Sequence, residues 1–150
     1  MNMLLDASLK NVRYYGLGEL ENLPDFNTHS TVGIFESTVK DMCVDYIRPQ
    51  DSGNHGRTRW VELTDDDGRG VCIFNKKNYF SFSTHDYPEK QVRDAKHLED
   101  IKRGKMTSLS IDGFMRGTGS NSCGPNTLSE YRVDMKNELE FGFSILPVCK

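Results

Sequence analysis

Arg48, Gln50, Asn54, His55, Arg57, Arg59 and Trp60 gather two planar amides, three guanidinium groups, an imidazole and the chain's one tryptophan into a short stretch. Planar amides and guanidinium groups match paired hydroxyls, and an aromatic face covers the apolar face of a ring. Binding of a sugar is therefore one chemistry these residues could support. Pro49 and Gly53 within the same stretch set a turn between two apolar runs, and loops of this composition are where rigid strands commonly hold binding groups. The same residues also read as a structural corner. In that version Arg59 pairs with a carboxylate, and Trp60, which begins an alternating strand, points into the core.

Other chemistries have less behind them. Cleavage between sugars needs two carboxylates, one protonated and one acting as nucleophile or base. The candidates are Glu19, Glu21 and Asp25, or Glu36, Asp45 and Asp51, and no local pattern divides either set into an acid and a nucleophile. Glu19 and Glu21 flank Leu20 and would share one face of an extended segment. His29, His55, His85 and His97 form no HxxxH pair and lie in no acidic ligand pattern, so the chain offers no metal motif. Cys43, Cys72, Cys123 and Cys149 are too scattered for a CxxC site and read as free thiols. Nothing beside Cys123 supplies a base or lowers its pKa, so it is not a candidate nucleophile. The glycines of Gly113 to Gly119 lack the helix and the Lys-Ser/Thr ending of a phosphate cradle.

The elements that must position these groups are mostly strands. Val12–Leu17, Thr31–Phe35, Met42–Ile47, Arg59–Leu63, Val71–Phe74 and Tyr79–Ser83 read as short strands separated by turn residues. Asp65-Asp66-Asp67-Gly68 is a turn, and Asn75-Lys76-Lys77-Asn78 is a plausible hairpin loop. One helix is expected near 87–103, where Val92, Ala95, Leu98 and Ile101 draw an apolar stripe. Asp86 and Glu89 fit a capping box at its start, and Gly104 fits its end. Strands resume at Thr107–Ile111, Ser129–Met135 and Leu139–Leu146, the last two paired with each other. Between them runs a polar, glycine-rich loop from Gly117 to Pro125. The pattern is all-β: an antiparallel sandwich.

With 150 residues, the chain reads as one domain large enough to hold a core without staples. Its net charge of -3 and the lack of a basic patch argue against nucleic acid as a partner. No apolar run approaches the roughly 18 residues of a membrane helix, so no membrane role is expected. Met1 to Asp6 is too short and too acidic for a signal peptide, and a cytoplasmic location is expected.

Three blocks carry a resemblance. They are Val12-Arg13-Tyr14-Tyr15-Gly16-Leu17-Gly18-Glu19-Leu20-Glu21-Asn22-Leu23-Pro24-Asp25, then Tyr46-Ile47-Arg48-Pro49-Gln50-Asp51-Ser52-Gly53-Asn54-His55 with Arg59-Trp60, then Ile111-Asp112-Gly113-Phe114-Met115-Arg116-Gly117. In order and spacing they resemble the C-terminal, small-chain domain of the large bacterial β-galactosidases of glycoside hydrolase family two. The resemblance implies part of a galactose-mutarotase-like supersandwich over residues 12–150, with 1–11 as a flexible N-terminal segment. It implies a non-catalytic role, because the family's catalytic glutamates and its magnesium ligands lie in a central barrel that has no counterpart here. No cofactor is implied for this chain, while magnesium and sodium are implied for the parent enzyme.

The partners implied are the rest of that polypeptide and a galactoside, and a homo-oligomer is compatible with the family. In the family, the loop after the Asp-Gly-Phe strand brings an aromatic residue to the sugar platform. That position falls on Cys123, which makes Asn121, Ser122 and Cys123 the expected active-site edge, although a thiol offers no ring face. Phe26 after Asp25, and Asp51 and His55 in the Pro-Gln block, also depart from the family pattern and leave the preferred galactoside open. With Arg48, Gln50, Asn54, His55 and Trp60, the three loop residues complete the expected substrate-binding set. Two rivals use the same features: a stand-alone carbohydrate-binding module, and a mutarotase-like epimerase using His29 or His55 with Glu36. A third is half a sandwich that dimerises to cover an apolar face.

Overall fold

Alternation of apolar and polar residues builds two antiparallel sheets. The computed structural model describes residues 1–120, 123–136 and 138–149. One sheet has four strands, β1 (Asn2–Leu5), β8 (Thr107–Asp112), β7 (Phe80–His85) and β4 (His55–Thr58), in that order. The other has five, β3 (Thr31–Thr38), β2 (Asn11–Gly18), β5 (Trp60–Thr64), β6 (Arg69–Phe74) and β9 (Ser144–Cys149). Among the described residues the one α-helix is α1 (Glu89–Asp94), followed by a 3₁₀ turn at Leu98–Asp100. No helix among them is long and apolar enough to cross a membrane.

Period-two patterning sends one face of each sheet into a shared core. Val12 and Tyr14 of β2, Val61 and Leu63 of β5 and Ile73 of β6 meet Phe80 and Phe82 of β7 and Leu109 and Ile111 of β8. Tyr14 bridges the layers: its ring lies 5.4 Å from Phe35, 5.1 Å from Phe82 and 5.0 Å from His55. The turn at 65–68 forms as expected. Asp65 Oδ1 accepts the N–H groups of Asp67 and Arg69 at 2.9 and 2.8 Å, and Gly68 takes a φ of 74° that a β-carbon would resist.

Several expectations are corrected. Within residues 1–11, expected as a flexible segment, β1 pairs with β8, and Met3 and Leu5 pack on the core. Met42–Ile47 is not a strand. The Thr38 hydroxyl and Asp41 carboxylate bond each other at 2.7 Å, Asp41 N–H returns to Thr38 Oγ1, and this local pair turns the chain as β3 ends. Val39 and Met42 drop into the core from that turn. Asn75–Asn78 does turn, with Asn75 Oδ1 accepting two backbone N–H groups. It is no hairpin, however, because β6 and β7 belong to different sheets.

The helix stops after six residues, and of its expected stripe only Ile101 is buried. The Asp86–Glu89 box does not form. Asp86 faces Arg103 at 3.5 Å, and Glu89 accepts the Ser110 hydroxyl. A capping box closes instead at His97 and Asp100. Ser129–Met135 contains a 3₁₀ turn at Ser129–Tyr131, and the last strand lies at Ser144–Cys149, paired with β6.

Candidate functional site

The outer face of the four-stranded sheet is polar. Phe80, Phe82, Leu109 and Ile111 point into the core, so Ser83, His85, Ser110 and Asp112 point the other way. With Asn2 of β1 and Glu89 of α1 they floor a cleft of about 1140 Å³. One wall comes from the loop before β4, with Tyr46, Gln50, Ser52 and Asn54; the other comes from the loop after β8, with Arg116, Thr118, Gly119 and Ser120.

Three acceptor side chains clamp these walls. Glu21 takes the Tyr46 hydroxyl on one oxygen and Gly53 N–H, at 2.7 Å, on the other. Asn22, 1% exposed, donates to the carbonyls of Leu17 and Leu20 and accepts Gly56 N–H at 2.8 Å. Its backbone N–H also bonds the Asn54 carbonyl at 2.7 Å, while the Asn54 amide returns to the Asn22 carbonyl at 2.6 Å. Asp25 accepts the backbone N–H groups of Thr118 and Gly119 at 3.1 and 2.7 Å. Gly117 must be glycine there, since a β-carbon would meet Asp25 Cγ at 2.5 Å. Glu21 and Asp25, considered above as reactive carboxylates, are thus committed to holding backbone.

The floor is rich in acceptors. Asn2 Nδ2 bonds the hydroxyls of Ser108 and Ser110, each at 2.9 Å. His85 Nε2 lies 3.1 Å from the Ser52 carbonyl, and its ring packs 4.9 Å from that of Tyr87. Burial pushes the His85 pKa below its ordinary value, against the pull of Glu89, so the ring is neutral at pH 7. Burial raises the Asp112 carboxyl against the pull of the Met1 ammonium 3.8 Å away, and the negative charges of Glu89 and Asp51 add to the rise.

Of the expected contact residues, Gln50 and Asn54 line this cleft. His55 does not: it is 2% exposed, stacked between Tyr14 and Phe82, and burial pushes its pKa down to about 4. Trp60 is also corrected. It sits on the outer face of the five-stranded sheet, with the Arg13 guanidinium 5.5 Å from its ring, on the side of the sandwich away from the cleft. Among the described residues Arg59 has no carboxylate partner; it lies between the rings of Tyr15 and Tyr79, 4.5 Å from each. Arg48 and Cys123 are exposed and outside the cleft lining. Asn121 and Ser122 lie outside the described residues, although Ser120 and Pro125 on either side line the mouth.

The epimerase pairing is not assembled. His55 is in the core, His29 Nε2 bonds the Glu21 carbonyl at 3.0 Å, and Glu36 pairs with Arg13 at 3.2 Å. Sequence reasoning missed Asn22, His85, Glu89, Ser110 and Asp112. The signal for three of them was present, because Phe82-Ser83-Thr84-His85 and Leu109-Ser110-Ile111-Asp112 each alternate core with polar groups.

Two antiparallel sheets with a polar, loop-walled cleft on one outer face define a β-sandwich domain. The chain belongs to the β-galactosidase small-chain family, whose model, "Beta galactosidase small chain", matches residues 1–145. It is 34% identical over 145 residues to a β-galactosidase of Staphylococcus xylosus, covering 97% of this chain and 14% of that protein. It is 32% identical to one of Kluyveromyces lactis, covering 93% and 14%. A third, from Actinobacillus pleuropneumoniae, is 30% identical, covering 90% and 13%. The chain therefore spans about one seventh of the length of the relatives it matches.

Proposed function

We propose that this chain is a non-catalytic sandwich portion of a β-galactosidase that hydrolyses terminal β-D-galactosides. It buttresses the catalytic barrel and lends the barrel's sugar pocket one wall. The supporting observation is the Asp25 clamp. Two backbone N–H groups of the loop after β8 are fixed to one carboxylate, so that loop leaves the sandwich in a set direction at the cleft mouth. Asn121, Ser122 and Cys123 are then the groups carried toward the galactoside. The reacting carboxylates, and any magnesium or sodium, belong to the remainder of the polypeptide. A cytoplasmic location fits this reading.

The test is hydrolysis of a chromogenic β-galactoside by this chain alone, and by this chain mixed with the rest of a family polypeptide lacking it. The expected outcome is activity only on mixing. Turnover by the chain alone, or no gain on mixing, overturns the reading.

A further inference from the structure

Asp25 holds only the outgoing leg of the loop after β8, at Thr118 and Gly119. On the returning leg one residue stands apart. Thr127 is 1% exposed, while every other described residue from 118 to 130 is exposed. Its hydroxyl donates to the Gly117 carbonyl at 3.0 Å and accepts Arg116 Nη2 at 3.5 Å. The same Arg116 nitrogen donates to Asn126 Oδ1 at 2.9 Å, and that oxygen also accepts the Thr127 N–H at 2.8 Å. The Thr127 carbonyl accepts Arg132 Nε at 2.7 Å. The N–H, carbonyl and hydroxyl of one buried residue are therefore all committed within one loop.

The legs close tightly around it. Gly117 N–H bonds the Tyr131 carbonyl at 2.8 Å, and Ser120 N–H bonds the Pro125 carbonyl at 3.2 Å. Gly119, with a φ of 64°, lies so near that a β-carbon would meet Thr127 N at 2.6 Å. A buried network with its members satisfied has one low-energy arrangement, and loss of a member loosens the rest. Ser120 and Pro125, beyond these cross-links, line the cleft mouth, whereas Thr127 does not line the cleft. What Thr127 does at the mouth it does through the angle between the two legs.

We propose that Thr127 is a positioning residue for the sugar-facing wall. Its buried hydroxyl joins the returning leg to Gly117, and so sets the direction in which the tip that carries Cys123 faces a galactoside. This rests on the wall function proposed above, and it adds to the Asp25 clamp the residue that holds the other leg.

The experiment is steady-state hydrolysis of a chromogenic β-galactoside, with each variant chain in saturating excess over a family polypeptide lacking it. Thr127→Val keeps the shape of the side chain and removes the bond to Gly117. Loosened legs hold the tip in place for a smaller fraction of the time, which weakens ground-state and transition-state binding alike. KM should therefore rise about fivefold with kcat unchanged, as loss of one hydrogen bond implies. Thr127→Ser, which keeps the hydroxyl, should restore the ordinary KM. Should Thr127→Val fail to fold, Arg132→Met carries the test, since it removes the bond to the Thr127 carbonyl from an exposed side chain and should move KM the same way. An unchanged KM in the folded variants overturns the proposal and leaves the wall function standing, as does a fall in kcat alone. A Thr127→Ser chain no better than Thr127→Val also overturns it. No activity on mixing with the unmodified chain removes the wall function and this proposal together.

Discussion

His55 illustrates how burial converts a candidate ligand into a determinant of stability. Its imidazole is packed between Tyr14 and Phe82, and its pKa falls from 6.5 to about 4 because the charged form would lose its hydration. In the unfolded chain the ring protonates below pH 6.5, whereas in the folded chain it stays neutral until about pH 4. The unfolded state therefore binds more protons in that window, and stability must fall as pH falls through it, by at most about 3 kcal/mol for this residue. Urea unfolding followed from pH 8 to pH 4 should show that slope, and His55→Leu should flatten it while leaving a remainder from His85, whose pKa is lowered in the same direction. An unchanged slope in the variant would mean that His55 is hydrated in the native state. The sequence could not show this. A histidine beside glycine in a polar loop looks exposed, and only the packing of β4 against β7 reveals that the loop has already ended. Trp60 misleads for a related reason: alternation fixes that it opposes Val61, but not which face of β5 is the core.

At the scale of elements, alternation was a reliable guide wherever both neighbours of a strand are in this chain. β2, β5, β7 and β8 lie close to where the pattern puts them, since each buries one full face. β4 and the region from 129 to 146 were not legible. β4 is four residues long and held by a clamp from a distant loop, and Ser129–Met135 has its backbone bonds taken by a 3₁₀ turn and by Gly117. Asn22 is that clamp. Its side chain bonds Leu17, Leu20 and Gly56 from a site 1% exposed, so it joins the end of β2 to the start of β4. Asn22→Ala would strand a buried N–H and two carbonyls and should lower the unfolding free energy by about 1–3 kcal/mol. Hydrogen exchange should quicken most at Gly56. Equal loss across the whole four-stranded sheet, with Gly56 no worse than the rest, would contradict a local clamp.

The molecule as a whole is a sandwich left open at one side. Ile145 of β9 stands opposite Ile73, which is fully buried, yet Ile145 is 47% exposed, with Leu146 beside it at 52%. Among the described residues β9 is an edge strand, with no strand beyond its outer row of backbone groups. The proposed function assigns the cover of this edge to the rest of the β-galactosidase polypeptide. That assignment separates two costs. Ile145→Lys in the isolated chain removes little buried surface and should change stability by no more than about 0.5 kcal/mol. Leu109→Ala, which opens a cavity in the closed part of the core, should cost about 2–5 kcal/mol. On mixing with the rest of a family polypeptide the order should reverse. Ile145→Lys puts a charge where a hydrophobic edge meets its partner, so it should impair the recovery of β-galactosidase activity more than Leu109→Ala does at a temperature where both variants are folded. Dose–response curves of recovered activity against added chain measure this directly. If Ile145→Lys assembles as well as the unmodified chain, the edge meets solvent in the complete protein, and the partner surface must be sought along β3, where Val32 and Ile34 are exposed on the opposite border of the same sheet.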